Sequence, residues 1–319
     1  MSSAEYTNKR KSIEEEHEEH FLTKSLTPFQ ISNPLSFRRL LKAGLWITGL
    51  QSRGKRNALD LSVKEIDFRF DNLPEKFDGF TILQISDLHL DGLPGLAENV
   101  CEKIDGIEAD LCVLTGDYSY EVHWPNDKIY SQIREIISNV KSKHGTVGIL
   151  GNHDFAESVS HLRNIGIKML VNDSMKLSRG EDTIWIVGLD DPNQYECDDI
   201  PGAMYDIPGD AFKILLVHSP DVIKKAHLNG VNLYLCGHTH GGQIRLPLIG
   251  PVINNSKCPR KYLNGTWQYE NVKGYTSAGV GTSLVPARFH CPPEIGLIRL
   301  GKSKVNHTRV DNVHVVRPN

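Results

Sequence analysis

Five short apolar runs in this chain are each followed at once by side chains that can hold a metal ion, and no other feature constrains the fold as much. "FTILQIS" (80–86) precedes Asp87 and His89, "LCVLTG" (111–116) precedes Asp117, and "TVGILG" (146–151) precedes Asn152, His153 and Asp154. "FKILLVH" (212–218) ends on His218, and "VNLYLCG" (231–237) precedes His238 and His240. Together with "TIWIVGL" (183–189), such runs read as buried strands. Between the second and third, Ile129, Ile133, Ile136, Ile137 and Val140 recur at helical spacing. Strands alternating with helices imply an α/β fold, in which ligands gather at the carboxyl ends of the strands.

Any one Asp-x-His or Gly-Asp is weak, because caps and core hydrogen bonds use the same residues. Five such signals in chain order, each closing an apolar strand, point to one shared metal site. Alternation along an extended chain would aim Asp87 and His89 the same way. Asp87, His89, Asp117, Asn152, His218, His238 and His240 are more ligands than one ion with an open position uses, so two ions bridged by Asp117 are expected. Two divalent ions bring about +4 and the two aspartates return −2, a residual charge suited to an anionic phosphoester. Gly241 and Gly242 either let the backbone pass close to the metals or mark a tight turn.

With 319 residues, 39% hydrophobic and 24% charged, the chain can bury a full-sized core. A net charge of −3 gives no broad footprint for nucleic acid, and none is expected as a partner. The six cysteines contain no CxxC pair, and Cys112 and Cys236 sit inside apolar runs, which fits a reducing compartment. Residues 1–35, with the acidic block "SIEEEHEEH", read as a disordered tail. Residues 36–59 begin as a basic amphipathic helix and linker, with Phe37, Leu40, Leu41, Ala43, Ile47 and Leu50 on one side and Arg38, Arg39 and Lys42 on the other. Over residues 36–56 such a helix can lie in a membrane surface, with Trp46 at its border, or dock on its own domain. A twin-arginine export signal at "SFRRLLK" is a weaker reading, because its apolar stretch is short and contains Lys42. No stretch is long and apolar enough to span a bilayer, and a cytoplasmic protein, peripheral on the inner face of the cell membrane, is expected.

The blocks D-x-H, G-D, G-N-H-D, H and G-H-x-H, in that order, resemble the calcineurin-like metallophosphoesterase family over about residues 60–300. The resemblance implies a four-layer αββα sandwich with two mixed sheets in a domain covering 60–319. It implies a first metal held by Asp87, His89, Asp117 and His240, and a second by Asp117, Asn152, His218 and His238. It further implies in-line attack on phosphorus by a metal-bridging hydroxide, with His153 protonating or stabilising the leaving oxygen and Asp154 orienting His153. Capping of the following helix is the structural alternative for Asp154. Mn is the expected metal, and Fe, Zn, Co or Mg also suit these donors. "GDYSY" fits the G-D-x-x-Y of purple acid phosphatases as well, but His89 fills the place that Tyr120 would take, so Tyr120 is not expected to be a ligand.

The late block "GVGTSLVPARFHCPPEIGLI" (279–298), with "GLDDP", "HSPD" and "GHTHGGQIRLP", is similar to a bacterial phosphodiesterase subfamily that includes the chlamydial-type UDP-2,3-diacylglucosamine pyrophosphatase. That similarity implies hydrolysis of a phosphodiester or pyrophosphate bond in a lipid-linked sugar nucleotide, yielding lipid X and UMP in lipid A synthesis. A broad phosphodiesterase and a catalytically inactive binding module are the alternatives. Arg288 and Arg245 are candidates to meet substrate phosphate, since guanidinium forks match its oxygens; surface salt bridging is the alternative for Arg245.

Overall fold

The computed structural model describes residues 9–16, 34–120, 127–251 and 256–303. In chain order the first half comprises α1 (residues 9–16), α2 (Pro34–Ile47), α3 (Gln51–Leu59), β1 (Ser62–Phe70), β2 (Thr81–Ile85), α4 (Leu96–Ile104), β3 (Glu108–Ala109), β4 (Leu111–Leu114), α5 (Asp127–Asn139), β5 (Lys141–Ser142), β6 (Thr146–Gly148), α6 (Ser158–Asn164) and β7 (Ile167–Met169). The second half comprises β8 (Asp173–Arg179), β9 (Asp182–Gly188), α7 (Ile200–Ala203), β10 (Phe212–Leu216), α8 (Ile223–Leu228), β11 (Leu233–Cys236), β12 (Arg245–Leu246), β13 (Gly250–Pro251), β14 (Gly265–Tyr269), β15 (Val272–Thr276) and β16 (Glu294–Lys302). All six apolar runs read as strands lie on strands.

Two six-stranded sheets carry the fold, ordered β1-β16-β2-β4-β6-β7 and β14-β15-β11-β10-β9-β8. Each is mixed: β2, β4, β6 and β7 run parallel, with β16 antiparallel to β2, while β9, β10, β11 and β15 run parallel between the antiparallel edges β8 and β14. Alternate residues of each strand point to opposite faces. Ile82, Leu111 and Val113 therefore meet Ile184, Ile214 and Leu233 between the sheets. Their neighbours Leu83, Cys112 and Leu114 pack outward on Val100, Ile133 and Leu162 of α4, α5 and α6. In the second sheet Leu215, Tyr234 and Cys236 pack outward on Ile200, Ile223 and Ala226 of α7 and α8. The result is helix, sheet, sheet, helix. Both faces of β4, β10 and β11 are covered, which is why these runs are apolar apart from Lys213, whose Nζ donates to the Gly209 carbonyl (2.7 Å). Each fully buried Leu, Ile or Val there contributes about 1.5–3 kcal/mol.

The expectation of a disordered tail over 1–35 does not hold for residues 9–16. Helix α1 docks on the domain because Arg10 finds a buried partner set: its guanidinium lies 3.2 Å from the Tyr195 ring centroid, donates from Nη2 to the Asp154 carbonyl (2.9 Å) and sits 3.5 Å from Asp190 Oδ2. Glu14 pairs with Arg10 (3.0 Å) and accepts from Ala156 N (2.8 Å). An acidic block read as part of a disordered tail thus contains one side chain, Glu14, that caps a loop of the domain. Of the rest of that tail, residues 34 and 35 open α2, and 1–8 and 17–33 lie outside the described residues.

Removing one partner of a buried ion pair leaves the other charge uncompensated, at a cost of about 3–5 kcal/mol. Arg10→Ala should therefore lower the unfolding free energy by about 3 kcal/mol with little change in denaturant m-value. A variant as stable as the parent chain would show that α1 does not dock.

Candidate metal centre

The residues singled out by the five blocks converge at the carboxyl ends of parallel strands from both sheets. Asp87 and His89 follow β2, Asp117 follows β4 and Asn152 follows β6; His218 follows β10, and His238 and His240 follow β11. The chain does not stay extended through these positions, as alternation would have it. Asp87, His89, Asp117, His238 and His240 all have positive φ, between 40° and 68°. Turning into the left-handed region lets the donors converge over the sheet ends, at about 1–3 kcal/mol of backbone strain each. Hydrogen bonds across the loops hold that conformation: Asp87 N to Gly116 O (3.0 Å), His89 N to Asp117 O (3.1 Å), Gly281 N to Asp87 O (2.7 Å) and Gly237 N to His218 O (2.8 Å). At Gly237 a Cβ would run into Ser86 Oγ and Asp87 Oδ2, so only glycine lets the "GHTH" loop close on the first aspartate.

Two groups of donors lie close enough to share an ion: Asp87, His89 and His240, and Asp87, Asp117 and His218, with the ligand atoms of each group within 4.8 Å of one another. His89 Nε2 is 3.1 Å from His240 Nε2 and 3.5 Å from Asp117 Oδ2. His218 Nε2 is 3.1 Å from Asp117 Oδ2 and 3.9 Å from Asp87 Oδ1. His238 Nδ1 stands 2.8 Å from Asn152 Oδ1, bringing the last two predicted ligands together. The Nδ1 atoms of His89 and His218 face the Ser119 and Thr115 carbonyls, each at 2.7 Å. Donation from Nδ1 directs each Nε2 into the site, the arrangement that orients a metal-binding imidazole.

Electrostatics also fit the group. Asp87, His89 and His218 are fully buried and Asp117 nearly so. Burial pushes the Asp87 carboxyl up to about 6, although His218 opposes this, and pushes His89 down to about 4. Burial and the adjacent His89 hold His240 well below its ordinary value. Burial would also raise Asp117 and lower His218, but their mutual attraction wins: Asp117 lies well below the usual carboxylate range and His218 rises to about 10. His218 Nε2 is buried and has no hydrogen-bond partner of acceptable geometry. A cluster of nitrogen and oxygen donors under such strain is what a divalent cation relieves.

Other predicted residues take different places. His153 stands beside the centre, half-buried, its ring 5.0 Å from that of His89 and its Nδ1 buried without a partner. Asp154 neither orients His153 nor caps α6. Its carboxylate accepts from Gly151 N (2.8 Å), Asp117 N (2.7 Å) and Tyr118 N (2.9 Å), tying the "GNHD" loop to the "GD" loop. A buried carboxylate must be satisfied, and the orphan amides of two adjoining turns satisfy it more fully than one imidazole would. Arg288 is likewise corrected. It is fully buried and donates to the carbonyls of Ala278 (2.7 Å), Gly279 (3.1 Å) and Gly281 (2.6 Å), which stiffens the loop behind Asp87 and His240 and leaves nothing for substrate. Arg245 is half-buried and donates to the Gly241 carbonyl (3.1 Å) at the rim. The Tyr120 hydroxyl donates to Leu284 O (3.0 Å).

Two neighbours escaped the sequence reading. Asn193 Nδ2 lies 3.2 Å from His238 Nε2, and Gln194 Oε1 accepts from Asn152 Nδ2 (3.4 Å). Both follow "GLDDP" at the end of β9, and Asp191 fixes their loop by accepting from Gln194 N (2.6 Å) and Tyr195 N (2.9 Å). The signal was a sixth strand end rich in polar residues.

The sequence profile of the calcineurin-like phosphoesterase family matches residues 80–242. An uncharacterized metallophosphoesterase of Bacillus subtilis, YkuE, is 34% identical over 237 residues, covering 72% of this chain and 81% of the relative. The phosphodiesterase YaeI of Escherichia coli is 30% identical over 230 residues, covering 69% and 82%. An uncharacterized metallophosphoesterase of Helicobacter pylori is 28% identical over 289 residues, covering 85% and 73%.

Because His240 groups with His89 and His238 with Asn152, His240→Ala and His238→Ala should each lower bound metal from about two ions to about one. Full occupancy in both variants, measured by elemental analysis, would sink the assignment. Metal binding must also displace protons. With His218 at about 10, Asp87 at about 6 and His89 at about 4, affinity should rise with pH, about a hundredfold per unit between 4 and 6 and about tenfold per unit between 6 and 10. Calorimetry in buffers of different ionisation enthalpy should show about one proton released at pH 8. An affinity that is flat above pH 6.5 would contradict the His218–Asp117 pairing.

Proposed function

The chain belongs to the calcineurin-like phosphoesterase family, and we propose that it is a two-metal phosphodiesterase whose substrate is an anionic diester or diphosphate, with Mn as the working metal. The observation that carries this is the pair of buried donor groups joined through Asp87, with the His153 ring 5.0 Å from that of His89 beside them. Bound divalent ions would supply Lewis acidity and a lowered water pKa.

The chain's own residues do the rest. Asp87 and Asp117 contribute only two negative charges among neutral imidazoles and an amide, so the loaded site attracts a phosphoryl group. His153, half-buried with its ring 5.0 Å from that of His89, takes the part of donor to a phosphate or leaving oxygen in this reading. Asp154 and Arg288 hold the two walls rigid by saturating backbone groups, which keeps the ligand positions in register for in-line displacement.

The finer reading is cleavage of UDP-2,3-diacylglucosamine to lipid X and UMP. What supports it is a helix beside the site, α2, with Leu40, Trp46 and Ile47 exposed, where acyl chains could stay in lipid while the diphosphate reaches the metals.

Purified protein with Mn²⁺ should hydrolyse bis-p-nitrophenyl phosphate, and UDP-2,3-diacylglucosamine faster. Turnover of the simple diester alone would leave a broad phosphodiesterase. A protein that binds two ions and cleaves neither would be a binding module. His153→Ala should lower kcat by about 10²–10⁴ with metal content unchanged. A His153→Ala variant of undiminished kcat would remove His153 from the reaction.

A further inference from the structure

Seven of the nine exposed large hydrophobic side chains among the described residues lie on two elements, α2 with its C-terminal turn and the β12–β13 hairpin. Helix α2 docks on the domain with the wrong face for an ordinary amphipathic helix. Among the described side chains of α2, residues 38–47, the partly buried ones are Arg38, Leu41 and Leu45. The apolar stripe Leu40, Ala43 and Ile47, together with Trp46, faces away from the protein, with Leu40 65%, Trp46 72% and Ile47 75% exposed. The turn between β12 and β13 adds Leu246, Leu248 and Ile249, the last two 108% and 64% exposed.

The two elements belong to one rim. Leu41 lines a cavity together with the metal-site residue His240 and with Gln243, Ile244 and Leu284. Arg38 lies 5.0 Å over the ring of Tyr120, which also meets the rings of His89 and His153. On the hairpin side, Gly242 (φ 83°) packs so closely on Pro251 that a Cβ would collide with it. Arg245 N donates to Phe289 O (2.9 Å), and Gly54 of α3 packs against that same Phe289 ring.

Charge selects the partner. From Pro34 to Leu59 the chain holds Arg38, Arg39, Lys42, Arg53, Lys55 and Arg56 and no acidic residue, although the whole protein carries a net charge of −3. Residues 243–251 add Arg245 and no acid. Apolar side chains at a tip, a tryptophan at the border and a basic surround are the features of an element that lies in a lipid interface. Fourteen residues of helix span about 21 Å, short of the roughly 30 Å hydrocarbon core, and no described helix is long and apolar enough to cross a membrane.

We propose that the face built from α2 and the β12–β13 turn docks on an anionic lipid bilayer, bringing the cavity shared by Leu41 and His240 to the lipid boundary. Docking stands independently of the substrate; its value for catalysis rests on the phosphodiesterase reading above.

The test is sedimentation of the full chain with vesicles of phosphatidylcholine alone and with about one-third phosphatidylglycerol, an anionic content high enough to attract basic segments. The parent chain should pellet with the anionic vesicles and stay in solution with the neutral ones. The double variants Leu248→Asp with Ile249→Asp, and Trp46→Glu with Ile47→Glu, should each lose about tenfold or more in partitioning. Both alter exposed positions outside the metal centre, so Mn²⁺-dependent hydrolysis of soluble bis-p-nitrophenyl phosphate should match the parent and report intact folding. A parent chain that stays in the supernatant, equal pelleting with neutral vesicles, or variants that pellet like the parent would overturn the proposal. Failure to cleave the soluble diester would instead count against the phosphodiesterase reading.

Discussion

Everything near the site depends on the buried carboxylate of Asp117. Its Oδ2 is approached by His218 at 3.1 Å and His89 at 3.5 Å, its Oδ1 accepts from His153 N at 2.9 Å, and its own amide is held by Asp154. Loops from three strands of one sheet and one of the other meet on it. A buried, charged carboxylate would be costly alone, and the imidazoles around it make the charge tolerable. The same arrangement leaves His218 Nε2 facing Asp117 and Asp87 with no hydrogen bond of good geometry, a fault in a metal-free core that a cation corrects.

That concentration of donors would scatter if the loops could relax. Five ligand positions sit in the left-handed region, where ordinary side chains are strained, so the surrounding backbone must over-determine them. Asp154 and Arg288 provide this from opposite sides. One carboxylate gathers three amides, and one guanidinium gathers the carbonyls of Ala278, Gly279 and Gly281. Their charge is used for rigidity, although residue type alone suggested chemistry. The surface elements continue the same scaffold outward: α1 reaches the Asp154 carbonyl through Arg10, and α2 reaches Tyr120 through Arg38.

The apolar strands, the α/β alternation and the strand ends where polar donors converge could be read directly from the sequence. Each strand announces itself by a run of four to seven apolar or small residues, and Asp87, His89, Asp117, His218 and His240 by their places at the ends of such runs. Helix α5 was legible for the same reason, since Ile129, Ile133 and Ile136 mark its buried face. What local pattern could not reveal was direction. The apolar side of α2 suited either a membrane surface or the chain's own domain; in the fold Arg38, Leu41 and Leu45 turn inward and Leu40 and Ile47 outward, because the rim offers Tyr120 and the cavity beside His240 as contacts.

The sequence by itself determined which residues are available for chemistry and at which strand ends, because hydrophobic periodicity and donor type are local properties of a chain. Tertiary structure alone decided what each polar residue does with its hydrogen bonds. Asp154, Arg288, Arg10 and Asn193 each find a partner in another loop or element, for Arg10 as far as 144 residues away in the chain. Satisfying a buried polar group depends on which amides, carbonyls and rings the folded loops bring within about 3 Å, and no spacing in the sequence encodes that distance.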